Sequence, residues 1–431
     1  MLLALTCTAS ALGCTPALSL PSRPAAPPPS PLAAAPQIEL SLSDCPLKSP
    51  APLWEKGFSD AVTSSLSPDG SLVAVSGVLP RGGLRRMEVQ VYGRDGVLQW
   101  SRHLQDPGFR SGWARFLADG EHLALGAFYY NETGVVEVYP AGGGAALWRR
   151  RASGPVLVTS SEQGDRLAVI DHLEGYLHLL SAGTGTELAR VRVGPAATCQ
   201  FVASGEYLLV EDGDRLFLLD GAGRHAWEHR LDGSMLREVG ISRDASWLAV
   251  TTGEADSSVY LFDRDGRLRW KYLLFPGGTN LVRFSPDSRL LAVYNVGRRA
   301  GIYLFRTGTG ELLWRLFFAD GAAHGDISLR RLEFAPDCGF LMVEAVVGTA
   351  TGPTLQEEHQ VILLDPSGSA LWRLPLGYDL DLALDTGCGT VVATGRPQVD
   401  ASGQAFTSVR CYDLTPLLPP AASGAASDRG R

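Results

Sequence analysis

Two short acidic stretches, Glu211-Asp212-Gly213-Asp214 and Asp263-Arg264-Asp265-Gly266, have the composition of a calcium loop. An EF-hand needs ligands at regular alternate positions and a distal bidentate glutamate. Neither stretch continues that way, so both read as hairpin turns. His225 and His229 flank Trp227 and alternate onto one face of a strand. A zinc site needs further ligands beside such a pair, and none accompanies them; the two read as solvent-facing. Gly-x-Ser-x-Gly, His-Glu-x-x-His, Gly-Lys-Ser/Thr and Cys-x-x-Cys are all missing from the chain. Their absence removes the usual nucleophile elbow, zinc pair, phosphate cradle and zinc knuckle. No catalytic set is read, and neither a metal nor a cofactor is expected.

What remains suits recognition rather than conversion. Tyr129 and Tyr130 are adjacent, and exposed aromatics on a loop stack on a sugar or a peptide. Three segments between strand patterns are long: 77–86, 348–359 and 395–408. They carry Arg81, Arg85, Arg86, Glu357 and Glu358, and a shorter segment carries Arg298 and Arg299. Binding residues gather on loops held by a rigid scaffold, which makes these residues the candidate interaction surface.

The scaffold is legible as a repeat. Seven of the nine tryptophans, Trp54, Trp100, Trp148, Trp227, Trp270, Trp314 and Trp372, stand at the same point of a recurring unit. A second marker precedes several of them: Ser67-Pro68-Asp69-Gly70, Ser285-Pro286-Asp287 and Ala335-Pro336-Asp337. Repeats about 40–50 residues long and built only of short strands indicate a β-propeller. The sixth repeat shows four strands, at 281–284, 290–294, 301–305 and 311–316, separated by Asp- and Gly-rich turns. Those turns supply the positive φ that tight hairpins demand. Strands B and C recur eight times, but strand D follows its own C strand only seven times. The missing copy stands at the other end, at 53–58, and is expected to add as the outer strand of the last blade. The predicted fold is all-β, an eight-bladed propeller of four-stranded antiparallel blades closed by the N-terminal strand. In such a ring repeats seven, eight and one are consecutive, so the long segments cluster on one side of one face. Arg81, Arg85 and Arg86 would face Glu357 and Glu358, with Arg298 and Arg299 nearby; a solvated rim is the alternative.

The turn, Leu, Trp and following apolar residue resemble the repeats of pyrroloquinoline-quinone-type propellers. The Ser-Pro-Asp-Gly turn is similar to WD40-like repeats. The resemblance covers about residues 52–414 and implies that each of the seven tryptophans docks against the neighbouring blade. Repeat three departs from it, with Ala189 at the tryptophan position. The quinone dehydrogenases that resemble this chain are longer and carry adjacent cysteines beside the cofactor. No two cysteines are adjacent here, so the resemblance does not extend to quinone binding.

The formal net charge of −8 and a total of three lysines argue against a nucleic-acid partner, which rewards clustered cations. Residues 1–14, an apolar run ending in small residues before Cys14, resemble a bacterial lipoprotein export signal, with Cys14 as the acylated residue. A cleaved secretory signal is the alternative, and the run is too short to span a membrane. Residues 15–51 are Pro/Ala-rich and read as a tether, 52–414 as the propeller and 415–431 as a disordered tail. Cys45 is a candidate disulfide partner for Cys388 or Cys411 in the last repeat. The expected function is a non-enzymatic, lipid-anchored scaffold at the cell envelope that binds a protein or peptide. In layout it is similar to the propeller lipoprotein of the outer-membrane β-barrel assembly machinery. A cell-surface sensor for a sugar or small molecule is the alternative, and an enzyme with residues scattered over the blades is a third.

Overall fold

The computed structural model describes residues 35–419, apart from 61, 82–83, 105–108, 130–132, 155, 162, 203–204, 214, 231–235, 253–256, 275–278, 297–300, 319–326, 352–353, 379, 386–388, 396–397 and 400–404. Its strands form eight sheets that follow one another in chain order. In each, strands A to D run from the central channel outward. Blade one is Val62–Leu66, Leu72–Arg81, Leu84–Gly93 and Leu98–His103. Blade two is Phe109–Phe116, His122–Tyr129, Gly134–Pro140 and Trp148–Ala152. Blade three is Val156–Ser160, Arg166–Asp171, Tyr176–Ser181 and Glu187–Arg192. Blade four is Thr198–Val202, Tyr207–Asp212, Arg215–Asp220 and His225–Arg230.

Blade five is Leu236–Ile241, Trp247–Thr252, Ser258–Asp263 and Leu268–Leu273. Blade six is Thr279–Phe284, Leu290–Asn295, Gly301–Arg306 and Glu311–Phe318. Blade seven is Ile327–Phe334, Leu341–Thr351, Thr354–Leu364 and Ala370–Tyr378. Blade eight takes Leu380–Asp385, Thr390–Gly395 and Ala405–Asp413 from the end of the chain and Trp54–Phe58 from its beginning. Trp54 lies opposite Cys411 and Phe58 opposite Thr407 in an antiparallel pair. The ring therefore closes as the repeat count requires. Thr394 of blade eight donates to the Ser64 hydroxyl of blade one at 2.7 Å, and Val73 and Val75 share an apolar cluster with Val392 and Val409.

The hydrophobic pattern explains the layering. Strand B of each blade is sandwiched on both faces by neighbouring blades, so it reads as a continuous apolar run rather than an alternating one. Leu291, Ala292, Val293 and Tyr294 are all fully buried. The Ser-Pro-Asp turn has an equally local cause. The buried Ser67 hydroxyl accepts the Leu72 N–H at 2.9 Å and donates to Asp69 at 2.6 Å. The same two bonds recur at Ser242 with Asp244 and at Ser285 with Asp287. The Ser67 hydroxyl, foremost, holds the Asp69 carboxyl below its ordinary range against the opposing effect of burial.

Four expectations change. The stretch 15–51 does not act as a tether throughout. Gln37–Leu40 pairs in parallel with the outer strand of blade six, from Gln37 against Arg315 to Leu40 against Phe318. Leu47 then bridges to Arg373 of blade seven, so 37–58 runs as a strap over three outer edges. Its cause is apolar: Leu40, Leu42 and Cys45 are buried against Trp314, Leu316 and Ile362. Residues 415–418 are not disordered, because Thr415–Leu417 forms a short 3-10 turn and Leu417 and Leu418 pack on the core of blades seven and eight. Cys45 makes no disulfide with Cys411: both are thiols, and they lie in separate clusters; Cys388 falls outside the described residues. Finally, the long B–C segments of blades one and seven are extensions of hairpin strands rather than loops, paired out to Arg81 with Leu84 and Thr351 with Thr354. That of blade eight adds a two-residue strand, Gln398–Val399, beside Ala405 and Phe406.

Candidate binding site

Three zones could hold a ligand: the outer rim, the face bearing the long hairpins, and the central channel. At the rim the tryptophans form one repeated contact. Trp54, Trp100, Trp148, Trp270 and Trp314 each donate the indole N–H to a carbonyl in the turn after the next blade's C strand. The acceptors are Arg94, Ala141, Ala182, Thr307 and Pro366, at 2.6 to 3.1 Å. Trp372 makes the same bond to Leu417 at 2.8 Å, since blade eight has no C–D turn and the 3-10 segment stands in for it. The turn residue beneath the ring is glycine. A Cβ on Gly310, at φ +71, would come within 2.7 Å of the Trp270 ring. In blade three Ala189 takes the aromatic place and lies against Gly223. These rings are enclosed by neighbouring turns, which leaves no cage for a ligand.

On the hairpin face Arg86 is half-buried and lies opposite Leu79 in the strand pairing. Glu357 lies 3.6 Å from Arg330 of its own blade, and Glu358 accepts from Gln360 at 2.7 Å. Glu357 is thus met by an arginine the sequence reading did not single out. Arg81, Arg85 and Tyr129 stand at strand ends, but their side chains, like Tyr130, Arg298 and Arg299, lie outside the described residues, as does Cys14. At the base of the blade-seven hairpin, His359 Nδ1 is 3.0 Å from Glu344, both almost fully buried, and Arg331 reaches the other Glu344 oxygen at 3.4 Å. The Asp263 turn proves local, its carboxylate accepting the N–H groups of Asp265 and Arg267, whereas Asp212 of the other acidic stretch accepts the Gly194 N–H at 2.9 Å and Glu211 beside it lines the channel. Among the described residues no group of three or more His, Cys, Asp or Glu is placed to hold a metal ion.

The channel carries the most unusual chemistry, and sequence reasoning missed it. One cavity of about 730 Å³ is lined by the A strands of blades four to seven, with Cys199, Glu238, Arg283 and Glu333, and by Glu211 on strand B of blade four. Burial, and after it the charge of Glu238, pushes Glu211 up to about 7. Burial also raises Glu238, against the pull of Arg283, which donates to it at 2.6 Å. The Cys199 thiol is pushed up to about 12 by burial and by Glu211, so at neutral pH it is not a nucleophile. A second cavity, about 570 Å³, is lined by blades eight, one and two with Arg331 of blade seven. Its polar groups are Thr63, Ser64, Ser65, Ser111, Arg115 and Arg331, with the ring of Trp113 among them. Trp113 was one of the two tryptophans out of register with the repeat, and that mismatch was the available signal.

Comparison with known proteins follows the fold. A family model described as outer membrane protein assembly factor BamB matches residues 173–336. No curated protein matches the chain. Among solved structures, the C-terminal WD40 domain of Sif2 superposes with a TM-score of 0.56 at 12% identity, over 84% of this chain and 99% of that one. Sqt1 from Chaetomium thermophilum, bound to the N-terminus of the ribosomal protein L10, gives 0.56 at 14% identity, over 82% and 97%. BamB from Moraxella catarrhalis gives 0.49 at 16%, over 84% and 100%. Repeats of the pyrroloquinoline-quinone-like type in a ring with WD40 structural neighbours make this chain an eight-bladed β-propeller repeat protein.

Proposed function

We propose that the protein is an exported, lipid-anchored propeller that performs no catalysis and binds a protein or peptide partner through one face of its ring. Residues 1–14 would direct export with acylation at Cys14, and the segment up to residue 36 would be the tether. From there the strap of 37–58 fastens the chain to blades six, seven and eight. The observation that carries the reading is the set of extended hairpins on three consecutive blades. Strands of eleven residues in blade seven and ten in blade one stand beyond the six-residue strands of blades three to five. A closed, stitched ring holds such hairpins rigidly, which lowers the entropy cost of binding. The matched family model, named for an outer membrane assembly factor, supports an envelope location. The Sqt1 structure, with a ribosomal-protein N-terminus bound, is a precedent for peptide binding on this fold.

The test is crosslinking followed by affinity capture, comparing the full chain with a variant in which 349–356 is replaced by two glycines. Loss of specific crosslinked species in the variant is the expected outcome. An unchanged set would remove the hairpin face from the reading. Incorporation of an alkyne-labelled fatty acid that disappears in Cys14→Ala tests the anchor.

A further inference from the structure

The two cavities of the channel differ in charge. The cavity of blades four to seven is lined by Glu211, Glu238 and Glu333, whereas no acidic side chain among the described residues lines the cavity of blades eight, one and two. There Trp113 and Arg115 stand two apart on the A strand of blade two and so share a face. The ring of Trp113 is seated over Gly126, its cross-strand neighbour, where a Cβ would collide with it. The Arg115 guanidinium lies 5.9 Å from the centre of that ring. It is exposed, and no carboxylate among the described residues lies within ion-pair distance of it. Arg331 enters from blade seven, paired with Glu333 at 3.9 Å and with buried Glu344 at 3.4 Å, the latter itself bonded to buried His359. The cavity thus presents two guanidinium groups with hydroxyls from Ser64, Ser65 and Ser111 and an aromatic ring.

We propose that this side of the channel is a recognition site for a carboxylate carried on an extended acidic peptide, bound by Arg115 and Arg331 with its aliphatic stem against Trp113. The proposal rests on the scaffold reading above and names the chemistry of the partner. A guanidinium fork matches a carboxylate in two parallel hydrogen bonds. Glu344 already offsets the charge of Arg331, so the two guanidiniums together balance a single added carboxylate. They do not balance a polyphosphate backbone, with its charge on every residue. The ring beside Arg115 distinguishes a carboxylate with an apolar stem from a bare inorganic anion.

The experiment uses the full chain and fluorescein-labelled hexaglutamate, followed by fluorescence anisotropy, with labelled hexalysine and unlabelled inorganic phosphate as comparisons. Saturable binding of hexaglutamate is expected, weakening as salt is raised. Arg115→Gln should weaken it about tenfold or more, the loss of one charge-assisted hydrogen-bonding group. Arg331→Gln should do the same, while Arg289→Gln, on a distant turn, should leave it unchanged. Arg115 is exposed, so its variant is expected to fold, and its melting temperature checks this. Absence of saturable binding at millimolar peptide, equal affinity in Arg115→Gln, equal binding of hexalysine, or displacement by equimolar phosphate would each overturn the proposal. Its failure is separable from that of the scaffold reading. A crosslinked partner retained by Arg115→Gln leaves the scaffold standing without this site. Hexaglutamate binding together with no loss of partner on hairpin shortening keeps this site and moves the docking face into the channel.

Discussion

The rim and the channel of this ring are built from the same repeat and treat it in opposite ways. At the rim, five tryptophans and a sixth at the ring closure make one bond to one turn carbonyl. In the channel, equivalent A strands present Glu238 and Arg283 on one side and Trp113 and Arg115 on the other. Packing between blades has one good solution, so it is repeated. The channel has no packing partner to satisfy, so its side chains are released to differ from blade to blade. Uniformity here marks stability, and variation marks the region where specificity can reside.

The largest break in that contrast comes at the closure. Replacing 54–58 by a Gly/Ser stretch of equal length exposes the edge of Ala405–Asp413 and uncovers Val409 and Cys411, both fully buried. An open ring leaves a free strand edge, so the variant should lose its cooperative thermal transition and elute as oligomers in size-exclusion chromatography. A retained single transition would show that blade eight stands on three strands. Next in size, Trp270→Ala should cost about 3 kcal/mol, the lower end for truncating a large aromatic because the ring is only half-buried. Gly310→Ala, beneath the same ring and at φ +71, should cost about 1–3 kcal/mol. Chemical denaturation measures both. Because the two residues form one contact, the double variant should cost less than the sum.

The rim was readable from the sequence for the same reason that it is uniform: a contact made repeatedly leaves a periodic mark. Strand order, blade number and the role of 53–58 followed from that periodicity. The strap was hidden because Gln37-Ile38-Glu39-Leu40 is only four residues long inside a Pro/Ala-rich stretch, and its pairing with blade six is set by tertiary proximity alone. Leu417 and Leu418 were the apolar signal against a disordered tail, outweighed by the prolines around them. The long B–C segments looked like loops because Gly and Pro interrupt them, although Val346 and Val347, both buried, mark a continuing strand. The channel was illegible for a different reason. Glu211 and Glu238 belong to different blades, and only ring geometry brings them near enough to disturb each other.

That pair offers a gentler way to sharpen the contrast. Glu211, with an ordinary value of 4.5, is raised to about 7, first by burial and then by Glu238. The folded protein therefore holds a proton there that the unfolded chain releases between those values. The stability linked to this proton is fully present below about pH 4.5 and is lost as the pH rises through about 7. The cost at alkaline pH is on the order of 3 kcal/mol. Glu211→Gln should accordingly be more stable than the parent at pH 8 and close to it at pH 5. Denaturation midpoints at the two pH values check this, and a difference that does not depend on pH would locate the strain elsewhere. No rim tryptophan variant should alter the pH profile.

The smallest expected effect separates structure from recognition on the hairpin face. Glu357 and Arg330 form a 3.6 Å pair with side chains 30% and 53% exposed. Exposed pairs of this kind contribute about 0–1 kcal/mol, because water and salt screen them and both side chains lose freedom. Glu357→Gln should therefore shift stability by less than about 0.5 kcal/mol in denaturant titration. If the hairpin is a docking surface, the same substitution removes a charge where a partner would meet it, and capture of that partner should weaken while the fold does not. A change in both would make Glu357 a structural residue like the rim tryptophans. A change in neither would move recognition away from the hairpin and toward the channel.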